Sequence, residues 1–106
     1  MQDLRNKRFE LLANDDGHAS AATQMVFSDA SLPYRATYSG PNIAFGHAIA
    51  ENEQMLYHAR DLDGNLAAGA AEVTFDGPTM VLSWRWLTGE LTSGESRWRQ
   101  MDERAD

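Results

Sequence analysis

The feature that most constrains the fold of this chain is a period-two alternation of apolar and polar residues along nearly its whole length. The alternating segments are separated by clusters of Gly, Pro, Asn and Asp, such as Asn14-Asp15-Asp16-Gly17 and Asp61-Leu62-Asp63-Gly64-Asn65. This pattern is typical of short antiparallel strands joined by tight turns. No window carries a convincing helical stripe, so the alternation predicts an all-β protein.

Eight segments fit a strand, and the turn residues between them set their limits. Pro33 precedes the third segment, and Asp76-Gly77-Pro78 ends the sixth, because proline cannot continue a central ladder. The predicted strands are residues 8–13, 22–28, 34–39, 43–50, 54–60, 66–75, 79–87 and about 95–101.

The short connections between these strands favour a meander, since parallel strands would need long crossovers. An open sheet of eight strands would leave two exposed edges, and closure removes them. We therefore predict one domain over residues 1–106, a small eight-stranded antiparallel up-and-down β-barrel. A two-sheet sandwich is the alternative, because periodicity does not distinguish a closed sheet from two packed ones. The charged ends, residues 1–7 and 102–106, are predicted to be mobile tails.

Charge and composition exclude several classes of function. The 106 residues include 16 acidic and nine basic side chains, for a net charge of −7. This charge balance argues against binding to nucleic-acid phosphates or to anionic membranes. The chain contains no cysteine, which excludes disulfides, thiolate metal sites and a cysteine nucleophile. Because no long apolar run or signal segment is present, we expect a cytoplasmic protein.

Several short motifs occur in an order that resembles a known family. They are Asn6-Lys7-Arg8-Phe9, Tyr38-Ser39-Gly40, Gly46-His47, Tyr57-His58, Gly64-Asn65-Leu66, and Trp84-Arg85-Trp86-Leu87-Thr88-Gly89 followed by Ser93-Gly94-Glu95-Ser96. Over about residues 6–98 they resemble a family of small bacterial proteins often labelled N-acetylglutamate synthase. By shape, the predicted barrel is also similar to the calycin superfamily of lipocalin-like and avidin-like proteins, a likeness that implies a fold and no function by itself.

The synthase label implies binding of acetyl-CoA, which the sequence does not favour. Acetyltransferases of the common kind hold the pyrophosphate on a Gly-rich loop that opens a helix. The glycines here lie in turns between strands, and the net negative charge opposes a polyphosphate cofactor. We therefore expect neither this activity nor a cofactor.

Strand parity predicts which side chains line the barrel interior. It places Trp84 and Trp86 on one face, and His47 on the apolar face of its strand with Phe45 and Ile49. Aromatic walls with a few polar groups are typical of sites for hydrophobic or aromatic small molecules. The same indoles could instead fill the core, since eight strands enclose little more than their own side chains. The predicted ligand-binding residues are Tyr38, His47, Tyr57, Trp84 and Trp86.

Three residues are candidates for proton transfer: His47, Tyr57 and Glu72. The facing of Glu72 is ambiguous, because both faces of its strand are apolar, and a buried Glu would have a raised pKa suited to acid catalysis. The histidines, at positions 18, 47 and 58, have no recognised metal-ligand spacing, so we expect no metal site.

Three hypotheses about function follow. The leading one is a non-enzymatic barrel that binds a hydrophobic small molecule. The second is a cofactor-free cyclase or isomerase, as found among calycin-like barrels, with His47 or Tyr57 supplying a proton. The third is a solid-core interaction module, stabilised as a homodimer through an apolar outer strip of Ala67, Ala71 and Val73.

Overall fold

The structure, a computed structural model, describes residues 2–14, 22–88 and 92–101. Within these ranges the regular structure is entirely β, which confirms the all-β prediction, and they contain no helix able to cross a membrane. Every strand limit lies within two residues of its predicted position. The strands are β1 (Arg8–Asn14), β2 (Gln24–Phe27), β3 (Tyr34–Ser39), β4 (Ile43–Glu51), β5 (Gln54–Asp61), β6 (Leu66–Asp76), β7 (Thr79–Trp86) and β8 (Ser93–Met101).

The eight strands close into a barrel. Each strand pairs antiparallel with the next along the chain, and β1 pairs with β8 as well as with β2. The predicted up-and-down barrel is therefore confirmed, and the two-sheet sandwich is wrong. Closure leaves no strand with an unpaired edge in the ladder.

Turn chemistry sets the register of the hairpins. Asn52 and Glu53 join β4 to β5 with positive φ angles of 55° and 64°. A two-residue hairpin turn needs positive φ angles at both residues to match the twist of its strands. After β5, the Asp61 carboxylate accepts the backbone N–H groups of Asp63 and Asn65, both at 2.9 Å. Because the strands alternate in direction, β1, β3, β5 and β7 all finish at the same end of the barrel, here called the mouth.

The opposite end of the barrel is closed by apolar side chains. The Phe9 and Phe27 rings meet edge to face, with centroids 6.0 Å apart, and Leu4 is fully buried. Backbone hydrogen bonds hold the leading segment there: Asn6 N–H donates to Ser28 O at 2.9 Å. Residues 2–7, predicted as part of a mobile tail, pack against this end of the barrel through the buried Leu4 side chain. Residues 102–106 lie outside the described residues.

In β4 the predicted facing is reversed. The small residues Gly46, Ala48 and Ala50 form the buried side of β4, and His47 is exposed on the outer wall. The register explains the reversal: Ile43 pairs with Asp61 and Phe45 with Arg60, so one extra residue bulges between them and changes parity. The prediction that His47 faces the interior is wrong.

In β6 the structure shows which of the two apolar faces of the strand points inward. Ala71 and Val73 are buried, Ala67 lines the interior, and Glu72 is exposed. Glu72 is therefore not a buried acid. The strip of Ala67, Ala71 and Val73 faces inward, so the predicted outer strip for a homodimer is wrong.

Candidate ligand-binding cavity

A cavity of about 780 Å³ occupies the mouth half of the barrel. Its volume lies in the range of small-molecule sites, about 300–1,000 Å³. The deep wall is apolar, and polar side chains are gathered at the rim. Apolar lining residues include Met25, Ile43, Met55, Leu82, Trp84, Trp86 and Trp98; polar rim residues include Asn42, Asp61, Asp63, Asn65, Thr88 and Thr92.

Three aromatic side chains each bridge two strands by passing over the strand between them. Tyr38 on β3 donates its hydroxyl to His58 O on β5 at 2.9 Å. Tyr57 on β5 donates to Arg85 O on β7 at 2.8 Å. Trp84 on β7 donates Nε1–H to the Asn14 side-chain oxygen on β1 at 3.3 Å. We call Tyr38, Tyr57 and Trp84 the aromatic bridges.

Glycines on the intervening strands allow these bridges. The Tyr38 ring lies over Gly46, where an added Cβ would meet a ring carbon at 2.5 Å. The Tyr57 ring lies over Gly69, its register partner on β6. Trp84 pairs in register with Gly94 on β8. The bridging rings therefore lie along the wall and leave the lumen open.

Burial changes the acidity of the two bridging tyrosines. Desolvation raises the pKa of Tyr57 to about 12. Desolvation also raises the pKa of Tyr38 well above its usual value. Both hydroxyls are therefore protonated at neutral pH and already donate to backbone carbonyls, so neither is poised to give its proton to a substrate.

Two polar groups in the wall retain hydrogens that could reach a ligand. Asn14 and Ser96 are register partners on β1 and β8, and both line the cavity. Ser96 is buried and accepts Nε1–H of Trp98 at 2.9 Å, which leaves its own hydroxyl hydrogen without an acceptor among the described residues. The Asn14 side-chain oxygen accepts the Nε1–H of Trp84, so the two hydrogens of the Asn14 amide nitrogen are not used in that bond.

The rim of the cavity carries negative charge. The Asp61 pKa is lowered, chiefly by the backbone N–H of Asn65, so its carboxylate is ionised at neutral pH. Asp63 stands beside it in the same turn. Within the described ranges no three His, Cys, Asp or Glu side chains come together as metal ligands, and His18 falls outside those ranges.

Four of the five predicted ligand-binding residues lie on the cavity wall. Tyr38, Tyr57, Trp84 and Trp86 line it, and the Tyr57 and Trp86 rings pack edge to face with centroids 5.0 Å apart. His47 lies on the outer wall instead. Of the proton-transfer candidates, only Tyr57 faces the lumen; the roles of all these residues stay predictions.

The alternation did not predict that Asn14 lines the cavity, because the pattern placed this residue in a turn. A bulge at Leu12 shifts the register of β1, so that Ala13 is exposed and Asn14 turns inward beside Ser96. The only sequence signal was its position at the end of a strand, before a turn. Ser96 and Trp98 also line the cavity and were not among the predicted ligand-binding residues.

A closed antiparallel barrel that encloses an apolar cavity toward one end is the architecture of a small-molecule-binding β-barrel. The chain matches the family described as Avidin-like protein over residues 2–101, and it belongs to that family. The expected likeness to calycin-type barrels is thereby confirmed, and the N-acetylglutamate synthase label gains no support. No curated protein and no solved structure matches the chain.

Proposed function

We propose that this protein binds a hydrophobic or aromatic small molecule inside the mouth half of the barrel. The observation that carries the proposal is the cavity of about 780 Å³, whose deep wall is apolar and whose bridging rings are held against the wall. An enclosed apolar wall favours a ligand that buries hydrocarbon or aromatic surface, at roughly 25 cal/mol per Å². The cavity also weighs against a solid-core module.

The polar groups in the wall would orient such a ligand. Ser96 and Asn14 offer donors on the cavity wall, which suits a ligand that carries a hydrogen-bond acceptor. Binding is favoured over the cyclase or isomerase hypothesis, because His47 and Glu72 lie outside the lumen and the Tyr57 hydroxyl is committed to Arg85 O.

Intrinsic fluorescence provides a direct test, because all three tryptophans of the chain line the cavity. The protein is titrated with a neutral apolar dye, N-phenyl-1-naphthylamine, and with a panel of uncharged aromatic and aliphatic compounds. We expect a saturable change in emission for the dye and for at least one compound class. Emission that does not change with any compound would contradict the proposal.

A matched pair of variants locates the binding. Ala67→Phe places a ring in the cavity, whereas Thr74→Phe places the same ring on the outer wall of the same strand. Ala67→Phe is expected to weaken dye binding by tenfold or more, about 1.4 kcal/mol, and Thr74→Phe to leave it unchanged. Equal effects of the two variants would mean that the dye binds elsewhere.

A further inference from the structure

The outer wall of the barrel carries a second organised surface, opposite in character to the cavity rim. Register pairs from β2 to β7 place its outward side chains in three adjacent rows, which we call the outer face. The rows are Arg35, Ile49, Leu56, Ala70 and Arg85; Val26, Thr37, His47, His58 and Ala68; and Phe45, Arg60 and Leu66.

Every ionisable side chain of the outer face is basic. It carries three arginines and the two histidines His47 and His58, in a chain whose net charge is −7. The outward acids Glu51, Glu72 and Glu95 lie in the next row toward the closed end, and Asp61 and Asp63 follow Arg60 at the cavity rim. Neither Arg35 nor Arg60 forms an ion pair with a described carboxylate. The face therefore has positive charge available for a partner.

The same surface exposes large apolar side chains. Ile49 is 39% exposed and Leu56 56% exposed, and Val26 and Leu66 lie on the same wall. A groove of about 670 Å³ runs between Val26, Ile49 and Leu56, where the small residues Thr37 and Ala68 lower the surface. Exposed apolar groups grouped around a groove and interspersed with charge mark an interaction site more often than single exposed residues do.

We propose that the outer face binds an acidic peptide segment of a partner protein, one in which carboxylates alternate with apolar side chains. The basic side chains would pair with the carboxylates, and the groove between Val26, Ile49 and Leu56 would take the apolar groups. Because the barrel has no free strand edge, the segment would be held by side chains rather than by strand addition.

The size of the outer face matches a peptide better than a folded partner. Six strands at about 4.8 Å spacing and three rows about 7 Å apart cover on the order of 600 Å². A stable protein–protein interface buries about 800 Å² per partner. An extended segment of about eight residues spans roughly 26 Å, which covers the five strands of one row if the segment follows the curved wall.

Other occupants fit the charge pattern less well. Two copies related by a two-fold axis would set the basic side chains of one face against those of the other, and like charges in an interface oppose association. Nucleic acid or an anionic membrane would meet the net charge of −7 of the whole molecule and would leave the apolar groove unfilled.

The test measures fluorescence anisotropy of a fluorescein-labelled peptide of alternating glutamate and leucine, about eight residues long. We expect saturable binding that weakens as salt is raised, because exposed charge pairs are screened. Arg35→Gln combined with Arg60→Gln should weaken binding roughly three- to tenfold. Arg97→Gln combined with Arg99→Gln, which removes the same charge from β8, should leave it unchanged.

Each alternative has its own result. No peptide binding at low salt, or equal effects of the two double variants, would overturn the proposal. So would binding of single-stranded DNA or of phosphatidylglycerol vesicles that depends on Arg35 and Arg60 while the peptide does not bind. A dimer in sedimentation velocity that is lost in Leu56→Glu and kept in Leu12→Glu would identify a second copy as the occupant, and would overturn it as well.

Discussion

At the scale of single residues, the aromatic bridges depend on glycines that cannot be replaced freely. At Gly46 the three atoms nearest to an added Cβ all belong to the Tyr38 ring, whereas at Gly69 they include both the Tyr57 ring and the backbone oxygen of Arg85 at 2.5 Å. A side chain can move or be removed, but the backbone oxygen of a ladder cannot. The two glycines, alike in sequence, are therefore constrained by different neighbours.

This difference gives a prediction about rescue. Gly46→Ala and Gly69→Ala should each lower the free energy of unfolding by about 1–3 kcal/mol, through overpacking. Adding Tyr38→Ala should make Gly46→Ala almost neutral relative to Tyr38→Ala alone, because the clash is gone. Adding Tyr57→Ala should not do so for Gly69→Ala, because Arg85 O remains. Urea denaturation in a double-mutant cycle measures both couplings, and equal rescue at the two sites would contradict the argument.

The bridging tyrosines also predict how stability changes at alkaline pH. Tyr57 has a pKa of about 12 in the folded chain and about 10 in the unfolded chain, and the Tyr38 pKa is raised in the same direction. The unfolded state then loses protons first, so this contribution is complete below pH 10 and is lost as pH rises toward 12.

We expect the Tyr38→Phe, Tyr57→Phe double variant to be less stable at pH 8, by about 0.5–1.5 kcal/mol for each lost hydrogen bond. It should also lose less further stability between pH 10 and pH 12 than the parent protein does. Tyr34→Phe serves as the control, since its hydroxyl has no hydrogen-bond partner among the described residues. Urea denaturation at each pH measures the effect, and parallel declines in parent and double variant would contradict it.

At the scale of elements, the segment before β1 helps to close the end of the barrel opposite the mouth. Leu4 has no exposed surface and packs with Phe9 and Phe27 in the core. Leu4→Ala should therefore lower the free energy of unfolding by about 2–4 kcal/mol, as for other buried leucines. Leu12→Ala, at a 52% exposed position on β1, is the matched control and should change it by less than about 0.5 kcal/mol. Similar effects of both would show that Leu4 is not buried in solution.

Strand positions followed from the sequence, because period-two alternation and turn residues are local signals. The predicted side-chain facing was wrong where a bulge adds one residue, at Leu12 in β1 and at Ala44 in β4. One inserted residue exchanges the inward and outward side chains of the rest of the strand. In β4 the larger side chains also suggested the wrong interior, because the bridging Tyr38 ring fills the space over Gly46. Tyr57, Trp84 and Trp86 were placed correctly because no bulge interrupts the β5–β6 and β6–β7 pairings.

At the scale of the whole molecule, the barrel combines a filled half with a hollow half. Near the closed end the interior is packed by Leu4, Phe9, Phe27, Val73 and Met80, which are all at most 2% exposed. Toward the mouth the same strands enclose the cavity, so their side chains have fewer neighbours. Local opening is favoured where few buried contacts must break. The two halves of single strands should therefore differ in stability although their backbone ladders are continuous.

Amide hydrogen exchange measured by NMR would detect this gradient. On β6, ladder amides near Val73 should exchange roughly ten- to a hundredfold more slowly than those near Ala67, and on β5 those near Met55 more slowly than those near Ala59. A ligand in the cavity should slow the mouth-end amides selectively, since it supplies the missing contacts and binds only the closed ladder. Ligand-free protection that is uniform along each strand would mean that the cavity does not weaken the mouth, and would place the source of any ligand-induced stabilisation elsewhere.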